Sequence, residues 1–233
     1  MYDPFLTALV TKYNELTAPL ANRIIGSITA DITRAADLIG NIAGESALGD
    51  VIADAQLAAT ADPAFGGAVV AFMNPGGIRD DFDFIQSAGE GDGNVTYGEA
   101  FIVQPFGNSL VTMTLTGAQI DALLEQQATA GSDRQGRILQ ISHTLNYALN
   151  PSAPIGSRVD IASIKINGVP IDPNASYRVT VNSFLADGGD GFTVLVQGTN
   201  RLGGEVDLDA LVAYFAANSP VAPGPQNRIT VVP

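Results

Sequence analysis

The chain has 233 residues, of which 46% are hydrophobic and 15% charged, and it carries a formal net charge of −13. This composition is typical of an ordered globular protein with a sizeable core. The charge argues against DNA, RNA or an anionic membrane surface as a partner, because polyanions would be repelled. No apolar run reaches the roughly 18 residues of a membrane span, and the absence of cysteine excludes disulfides and thiolate chemistry.

The first predicted element is an amphipathic helix. Asp3 and Pro4 suit its N-cap and first position, apolar residues follow at helical spacing, and the helix should end before Pro19. Residues 23–33 then predict a strand. A second helix with one apolar face is predicted from about Ser46 to residue 59.

The next apolar run, residues 67–73, predicts a buried strand. It ends in residues 74–79, Asn-Pro-Gly-Gly-Ile-Arg. The glycines would let the backbone approach a ligand closely, and Arg79 could present a bidentate fork to a carboxylate or phosphate. A plain loop with an exposed arginine is an equally good interpretation. The acidic residues 80–94 predict an exposed loop whose spacing does not fit an EF-hand calcium site.

A clear strand is predicted over residues 110–115, followed by a helix that opens with a capping box between Thr116 and Gln119. Just before this strand, Phe106 and Asn108 place an aromatic ring beside an amide on a turn. By itself such a ring is more often part of a core than of a site.

Alternating residues over 137–147 predict one continuous strand with an apolar face. The only histidine of the chain, His143, falls on that apolar face. A buried, hydrogen-bonded structural role is therefore expected for it. A strand near residues 159–166 and a hairpin at Asn167 and Gly168 follow.

Residues 177–182 alternate as a strand, with Tyr177, Val179 and Val181 on one face. The chain should then turn sharply at the glycine pair 188–189, between two aspartates. Phe184 and Asp190 could form a ligand edge there, one by stacking and the other by accepting hydrogen bonds. A buried phenylalanine beside a solvated turn is the simpler alternative.

The C-terminal part predicts a strand at residues 194–197, a helix capped by Asp207 and a closing strand at 229–232. No repeat or low-complexity linker separates these elements. The fold class expected is α+β, a single domain (residues 23–233) with a mixed β-sheet and packed helices, preceded by a linker-type helix (residues 1–22).

Four motifs in order resemble those of the C-terminal domain of the 5′-nucleotidase family, which includes the bacterial periplasmic UDP-sugar hydrolases. The resemblance covers roughly residues 24–232. Its motifs are residues 44–55 (Gly-Glu-Ser-Ala-Leu-Gly-Asp-Val-Ile-Ala-Asp-Ala), 74–79, 97–108 and 182–192 (Asn-Ser-Phe-Leu-Ala-Asp-Gly-Gly-Asp-Gly-Phe). The family domain is the specificity half of a two-domain phosphoesterase, and the N-terminal helix resembles the helix that joins the two halves.

The resemblance implies a nucleotide or nucleoside ligand and a role for each motif residue. Phe106 and Phe184 look like the two rings that sandwich the nucleobase, and Asp190 like the carboxylate near the ribose. Asn108 looks like the amide that reads the base edge. The pair expected near the phosphate is Asn74 and Arg79, with the backbone of Gly76 and Gly77 beside it.

Two positions depart from the family pattern. A family arginine upstream of the second helix has no counterpart in register, although Arg34 is nearby. A family glycine is replaced by His143, which raises the possibility that His143 edges the base pocket.

The resemblance also implies a partner domain, an N-terminal metallophosphoesterase domain that holds two divalent metal ions. This chain has one histidine and neither the Asn-His-Glu/Asp run nor the Gly-His-x-His run that such a site needs in this family. We therefore expect no metal cofactor and no catalytic residue in this chain, and no hydrolysis by the chain alone. The alternative is a stand-alone nucleoside-binding module. The family implies an extracellular or periplasmic location.

Overall fold

The computed structural model describes residues 4–34, 43–87, 89–131 and 137–233. Its helices are α1 (Pro4–Ala21), α2 (Ala47–Thr60), α3 (Tyr97–Val103), α4 (Gly117–Gln126), α5 (Ser183–Ala186) and α6 (Asp207–Asn218). Its strands are β1 (Ile24–Ser27), β2 (Val70–Met73), β3 (Asn94–Thr96), β4 (Ser109–Thr116), β5 (Gln140–Ile141), β6 (Leu145–Leu149), β7 (Lys165–Ile166), β8 (Val169–Pro170), β9 (Ser176–Asn182), β10 (Thr199–Val206) and β11 (Ile229–Val231). None of the helices within these ranges combines the length and the apolar character needed to cross a membrane.

The central sheet has five strands in the order β10-β4-β9-β2-β5. Its β2 and β9 pair in parallel, whereas the other neighbours are antiparallel. A second sheet has the order β11-β6-β7-β8, and β1 pairs with β3. These mixed sheets with packed helices confirm the expected α+β class.

Strand β9 lies in the middle of the central sheet, and its residues 179–182 are buried on both faces. Val179 and Val181 enter the larger apolar core on one face, as the alternation predicted. On the other face Thr180 shares hydrogen bonds with Thr60 of α2 at 2.7 Å and Thr112 of β4 at 2.9 Å. The polar face of β9 is thus covered by α2, and its hydroxyl groups are satisfied within the protein.

A second apolar core lies between α2, α6 and β1, where the rings of Phe82 and Phe215 meet edge to face at 5.2 Å. Helix α1 presents exposed apolar side chains such as Phe5 and Leu16. It does not end before Pro19 as expected but continues to Ala21. Proline removes one hydrogen bond of a helix, and here the helix extends beyond it by less than one turn.

The strand expected over residues 137–147 is interrupted, so that prediction is wrong. A turn at 142–145, closed by the Leu145 N–H donating to the Ser142 carbonyl at 3.0 Å, separates β5 from β6. The Ser142 hydroxyl also bonds to Thr144 at 2.9 Å. Such local side-chain bonds compete with strand pairing, and at this turn His143 points outward, away from the apolar face.

The segment after Phe192 also differs from expectation. Residues Thr193–Gln197 form a 3₁₀ helix, not a strand, and the exposed edge strand β10 follows without having been predicted. Asp207 is the first residue of α6, and Val206 takes the cap position. By contrast, the hairpin at Asn167 and Gly168 is confirmed, with both residues at positive φ.

Candidate functional site

The topology of the central sheet brings the motif segments together. Because β2 and β9 are parallel neighbours, their carboxyl ends lie at the same edge, and residues 74–77 and 183–190 follow these ends. The antiparallel strand β4 begins at that edge, with Leu110 opposite Asn182. Residues 106–108 therefore lie beside the other two segments.

A cleft of about 390 Å³ opens at this edge. It is lined by Asn74, Gly76, Gly77, Phe106, Asn108, Asn182, Phe184 and Asp190. The structure thus brings together seven of the eight residues that the sequence analysis selected. The eighth, Arg79, lies at the margin, with its guanidinium carbon 5.8 Å from the centre of the Phe106 ring.

Two aromatic side chains line the cleft and remain open to solvent. Phe106 is 59% exposed and Phe184 is 46% exposed, which is unusual for rings that have a core to pack into. Phe106 lies on the turn after α3, just before Gly107 at φ 61°. Phe184 is the second residue of α5, which Asn182 caps by accepting from the Leu185 N–H at 2.9 Å. Both rings present apolar faces for stacking.

Asp190 is held in a strained turn with its carboxylate toward the cleft. Its backbone is left-handed at φ 54°, and its carbonyl accepts from the Gly131 N–H at 2.6 Å. One carboxylate oxygen, Oδ2, accepts from Asn74 Nδ2 at 3.0 Å. A left-handed aspartate costs about 1–3 kcal/mol, and such strain is often found at ligand sites.

Asn108 has protein partners at both ends of its amide. Its Oδ1 accepts from the Ser183 hydroxyl at 3.2 Å, and its Nδ2 donates to Asp207 at 3.4 Å. Burial raises the pKa of the Asp207 carboxyl, and the bond from Asn108 opposes that rise. One N–H and one lone pair of the Asn108 amide stay available to a ligand.

Arg79 is an exposed side chain fixed by a local contact. Its Nη1 donates to the Gly76 carbonyl at 2.9 Å, which holds the guanidinium next to the glycine pair that lines the cleft. A cation near the face of Phe106 also favours the ring position seen here.

His143 does not line this cleft, so the family departure at this position does not bring it to the pocket, and the buried position expected from the alternation is also wrong. Its ring is 65% exposed, and its Nδ1 lies 3.1 Å from Asp54 Oδ1. The side chain lines a different cleft, with residues of α2 and α6 including Tyr214. The turn at residues 142–145 is the physical cause, because it directs His143 toward α2. The Arg34 side chain lies 4.0 Å from Asp81 and likewise does not line the cleft that holds Phe106 and Phe184.

A buried cluster of acids surrounds Arg228, between α2 and β11. The guanidinium lies 2.8 Å from Asp54 Oδ2 and 3.4 Å from Asp50 Oδ2. Glu45 accepts the backbone N–H groups of Arg228 and Ile229 at 3.0 and 3.1 Å. Burial raises the pKa of Asp50 to about 9, with Arg228 lowering it and Glu45 raising it further.

The residues present do not fit a two-metal centre. In the described ranges, no group of three or more His, Cys, Asp or Glu side chains is arranged to hold a metal ion. The single histidine is already paired with Asp54.

Two residues that shape the cleft, Asn182 and Gly189, were not predicted as site residues from the sequence. Asn182 is buried and touches both Asn74 and α5. The sequence did contain an indication of this position, because an asparagine at the end of a strand is a typical helix N-cap. Gly189 lies against the ring of Phe184, which no sequence pattern indicates.

The chain is an α+β domain with an open cleft at the edge of its mixed sheet, lined by two exposed rings and a fixed carboxylate. The family model described as "5'-nucleotidase, C-terminal domain" matches residues 24–197. The chain belongs to the 5′-nucleotidase family, through its C-terminal domain, and this confirms the resemblance seen in the motifs.

The chain is also similar in sequence and structure to several known proteins. The chain is 32% identical over 208 residues to a 5′-nucleotidase-related protein of Glossina morsitans morsitans, covering 81% of this chain and 35% of that protein. It is 34% identical over 172 residues to a cell wall protein of Listeria monocytogenes, covering 73% of this chain and 21% of the relative. A solved structure, the 5′-nucleotidase precursor of Thermus thermophilus, superposes with a TM-score of 0.79 at 35% identity, covering 98% of this chain and 43% of that one. The chain thus spans less than half the length of these relatives.

Proposed function

We propose that this chain is the nucleotide-binding, specificity-determining domain of a 5′-nucleotidase-type metallophosphoesterase that hydrolyses phosphate esters of nucleotides. Membership of the family's C-terminal domain supports the proposal, as does the clustering of its motif residues at one cleft. The cleft offers what a nucleoside needs, namely apolar stacking faces, amides and a carboxylate acceptor.

The observation that carries the proposal is the exposure of Phe106 and Phe184 in the same cleft. The two rings do not pack on each other as a close pair; in the part of the chain described, that arrangement is seen for Phe82 and Phe215. A nucleobase between them would gain stacking at each ring, about 1–3 kcal/mol per base contact by alanine substitution.

The polar residues take complementary roles in this proposal. Asp190 accepts from ribose hydroxyl groups, and Asn108 reads a base edge with its remaining donor and acceptor. Arg79 and Asn74 face the phosphate, with Gly76 and Gly77 leaving room for close approach. Arg79 supplies the positive charge that allows an anion to bind a domain of net charge −13.

Hydrolysis itself would be performed by a metal-bearing domain outside this chain. The lengths of the relatives support this, since more than half of the Thermus 5′-nucleotidase precursor lies outside the aligned region. An extracellular or periplasmic setting is part of the proposal, supported by the printed name of the Listeria cell wall protein.

The test is alanine substitution of the two rings, read by calorimetry with nucleosides at up to millimolar concentration. Phe106→Ala or Phe184→Ala should each weaken adenosine binding about tenfold or more. Folding stability should change much less than on truncation of a buried ring, because Phe106 is 59% and Phe184 46% exposed.

Two further phenylalanines provide controls. Phe65→Ala removes a ring that is exposed by 63% but lines another part of the surface, so binding should be unchanged. Phe192→Ala removes a fully buried ring and should cost about 3–5 kcal/mol of stability. Large losses of stability in the Phe106 and Phe184 variants, with binding retained, would make these rings structural and refute the proposal.

A further inference from the structure

A chain of hydrogen bonds runs from the start of α5 to the carboxylate of Asp190. Asn182 Nδ2 donates to Asn74 Oδ1 at 2.9 Å, and Asn74 Nδ2 donates to Asp190 Oδ2 at 3.0 Å. Asn182 is 1% exposed and Asn74 is 3% exposed, so water cannot readily replace either amide contact.

The donor-to-acceptor direction of these hydrogen bonds is set at one end by the backbone. The Leu185 N–H is a donor, so the Asn182 atom that faces it must be the oxygen, and the Asn182 nitrogen must face Asn74. For the same reason Asn74 turns its oxygen toward Asn182. Its own nitrogen is then left for Asp190, which can accept but not donate when ionised.

We infer that Asn182 is a positioning residue that sets the amide direction of Asn74 and thereby the orientation of the Asp190 carboxylate. With Oδ2 held by Asn74, the other oxygen, Oδ1, is presented as the acceptor for a ligand hydroxyl group. The same asparagine caps α5, which carries Phe184, so one side chain aligns the acceptor with the stacking ring. This inference rests on the proposed nucleoside ligand and extends it to a residue to which the motifs assign no role.

Serine and alanine at position 182 separate the two roles. Serine is as good an N-cap as asparagine. Its side chain is too short to reach Asn74, however, and lacks the amide nitrogen that donates to Asn74 Oδ1. Asn182→Ser therefore keeps α5 and Phe184 in place and breaks the amide chain. Asn182→Ala removes both the helix cap and the hydrogen bond to Asn74.

The readout is the ratio of affinities for adenosine and 2′,3′-dideoxyadenosine, measured by calorimetry on this chain. Asn182→Ser should weaken adenosine about fivefold to tenfold, within the range for losing one net hydrogen bond, and change dideoxyadenosine less than about twofold. Asn182→Ala should weaken both. In an Asp190→Ala background, Asn182→Ser should add no further loss, because its effect passes through that carboxylate.

A cap elsewhere serves as the matched control. Thr116 caps α4 by accepting from the Gln119 N–H at 3.2 Å, at the far end of β4 from the cleft. Thr116→Ala should lower the melting temperature and leave the affinity ratio unchanged. Equal weakening of both ligands by Asn182→Ser, or no change in either, would overturn the inference.

A second measurement separates this inference from the proposed function. The side-chain amide protons of Asn74, assigned by their absence in Asn74→Ser, should exchange with solvent about twofold to tenfold faster in Asn182→Ser by NMR. Unchanged exchange would contradict the hydrogen-bond chain even without ligand. If adenosine fails to bind the unmodified chain, the proposed ligand is wrong, while the exchange result still decides the role of Asn182.

Discussion

The ring of Phe184 lies against the backbone of Gly189, five residues further along the chain, and a Cβ atom added to Gly189 would overlap that ring. Gly189 does not have a positive φ, so its backbone could accept another residue. Its lack of a side chain is needed for the position of the ring. Part of the glycine-rich turn therefore shapes the stacking face.

Gly189→Ala should displace the Phe184 ring and weaken adenosine binding by about as much as Phe184→Ala, roughly tenfold. The expected cause is the clash, so adding Gly189→Ala to Phe184→Ala should produce no further loss. Isothermal titration of the two single variants and the double variant tests this. Gly203→Ala is the matched control, because a Cβ there meets no atom within 4 Å.

Arg79→Ala should weaken AMP about tenfold or more and adenosine much less, because a charge-assisted contact to phosphate is typically worth about 1.5–3 kcal/mol. A small loss for adenosine is expected through the nearby Phe106 ring. Arg23→Ala is a suitable control, since Arg23 also lies over a ring, that of Tyr97, outside the residues lining the cleft. Equal losses for AMP and adenosine in calorimetry would show that Arg79 does not contact the phosphate.

His143→Gly restores the residue that the family pattern has at this position. Because His143 pairs with Asp54 in another cleft, nucleoside affinities should stay within about twofold, below the effect of losing one net hydrogen bond. Calorimetry with adenosine and uridine checks this. A change in the preference between the two bases would contradict the position of His143 in the structure.

Local patterns were sufficient for the elements whose signals lie within a few residues. The capping box at Thr116 and the hairpin at Asn167 are examples, since each depends on neighbouring side chains and backbone angles. The alternation in β9 also predicted which side chains enter the larger core. These features need no knowledge of the rest of the fold.

Other elements depend on partners distant in sequence. The break at His143 is stabilised by its backbone N–H donating to Asp54 at 2.7 Å, a contact across 89 positions. Strand β10 has few apolar residues and two glycines, and its pairing with β4 stabilises it. No local window contains this information.

Most residues of the cleft were predictable from the sequence, but the fact that they meet was not. The resemblance selected its residues, but their meeting depends on the parallel pairing of β2 and β9, which alternation does not reveal. The alternation over residues 177–182 assigned Asn182 to the second face of a strand, which by itself indicates no role at a site. Its contact with Asn74 exists only in the folded protein.

The acid cluster around Arg228 gives the last prediction, which concerns stability and pH. Asp50 has a native pKa of about 9 against 3.8 in the unfolded chain, so between these values the native state holds a proton that the unfolded state releases. Stability from this group is then complete below about pH 4 and is lost as pH rises toward 9. The slope has an upper limit of about 1.4 kcal/mol per pH unit.

Asp50→Asn removes this titration while keeping a similar shape, so the variant should gain stability relative to the unmodified chain as pH rises from about 5 to about 8. Urea unfolding at several pH values measures the difference in the free energy of unfolding. Gly203→Ala, which changes no titrating group, should give a profile parallel to that of the unmodified chain. If Asp50→Asn also runs parallel, or loses stability as pH rises, then Asp50 is ionised in the native state, and its ion pair with Arg228 outweighs the effect of burial.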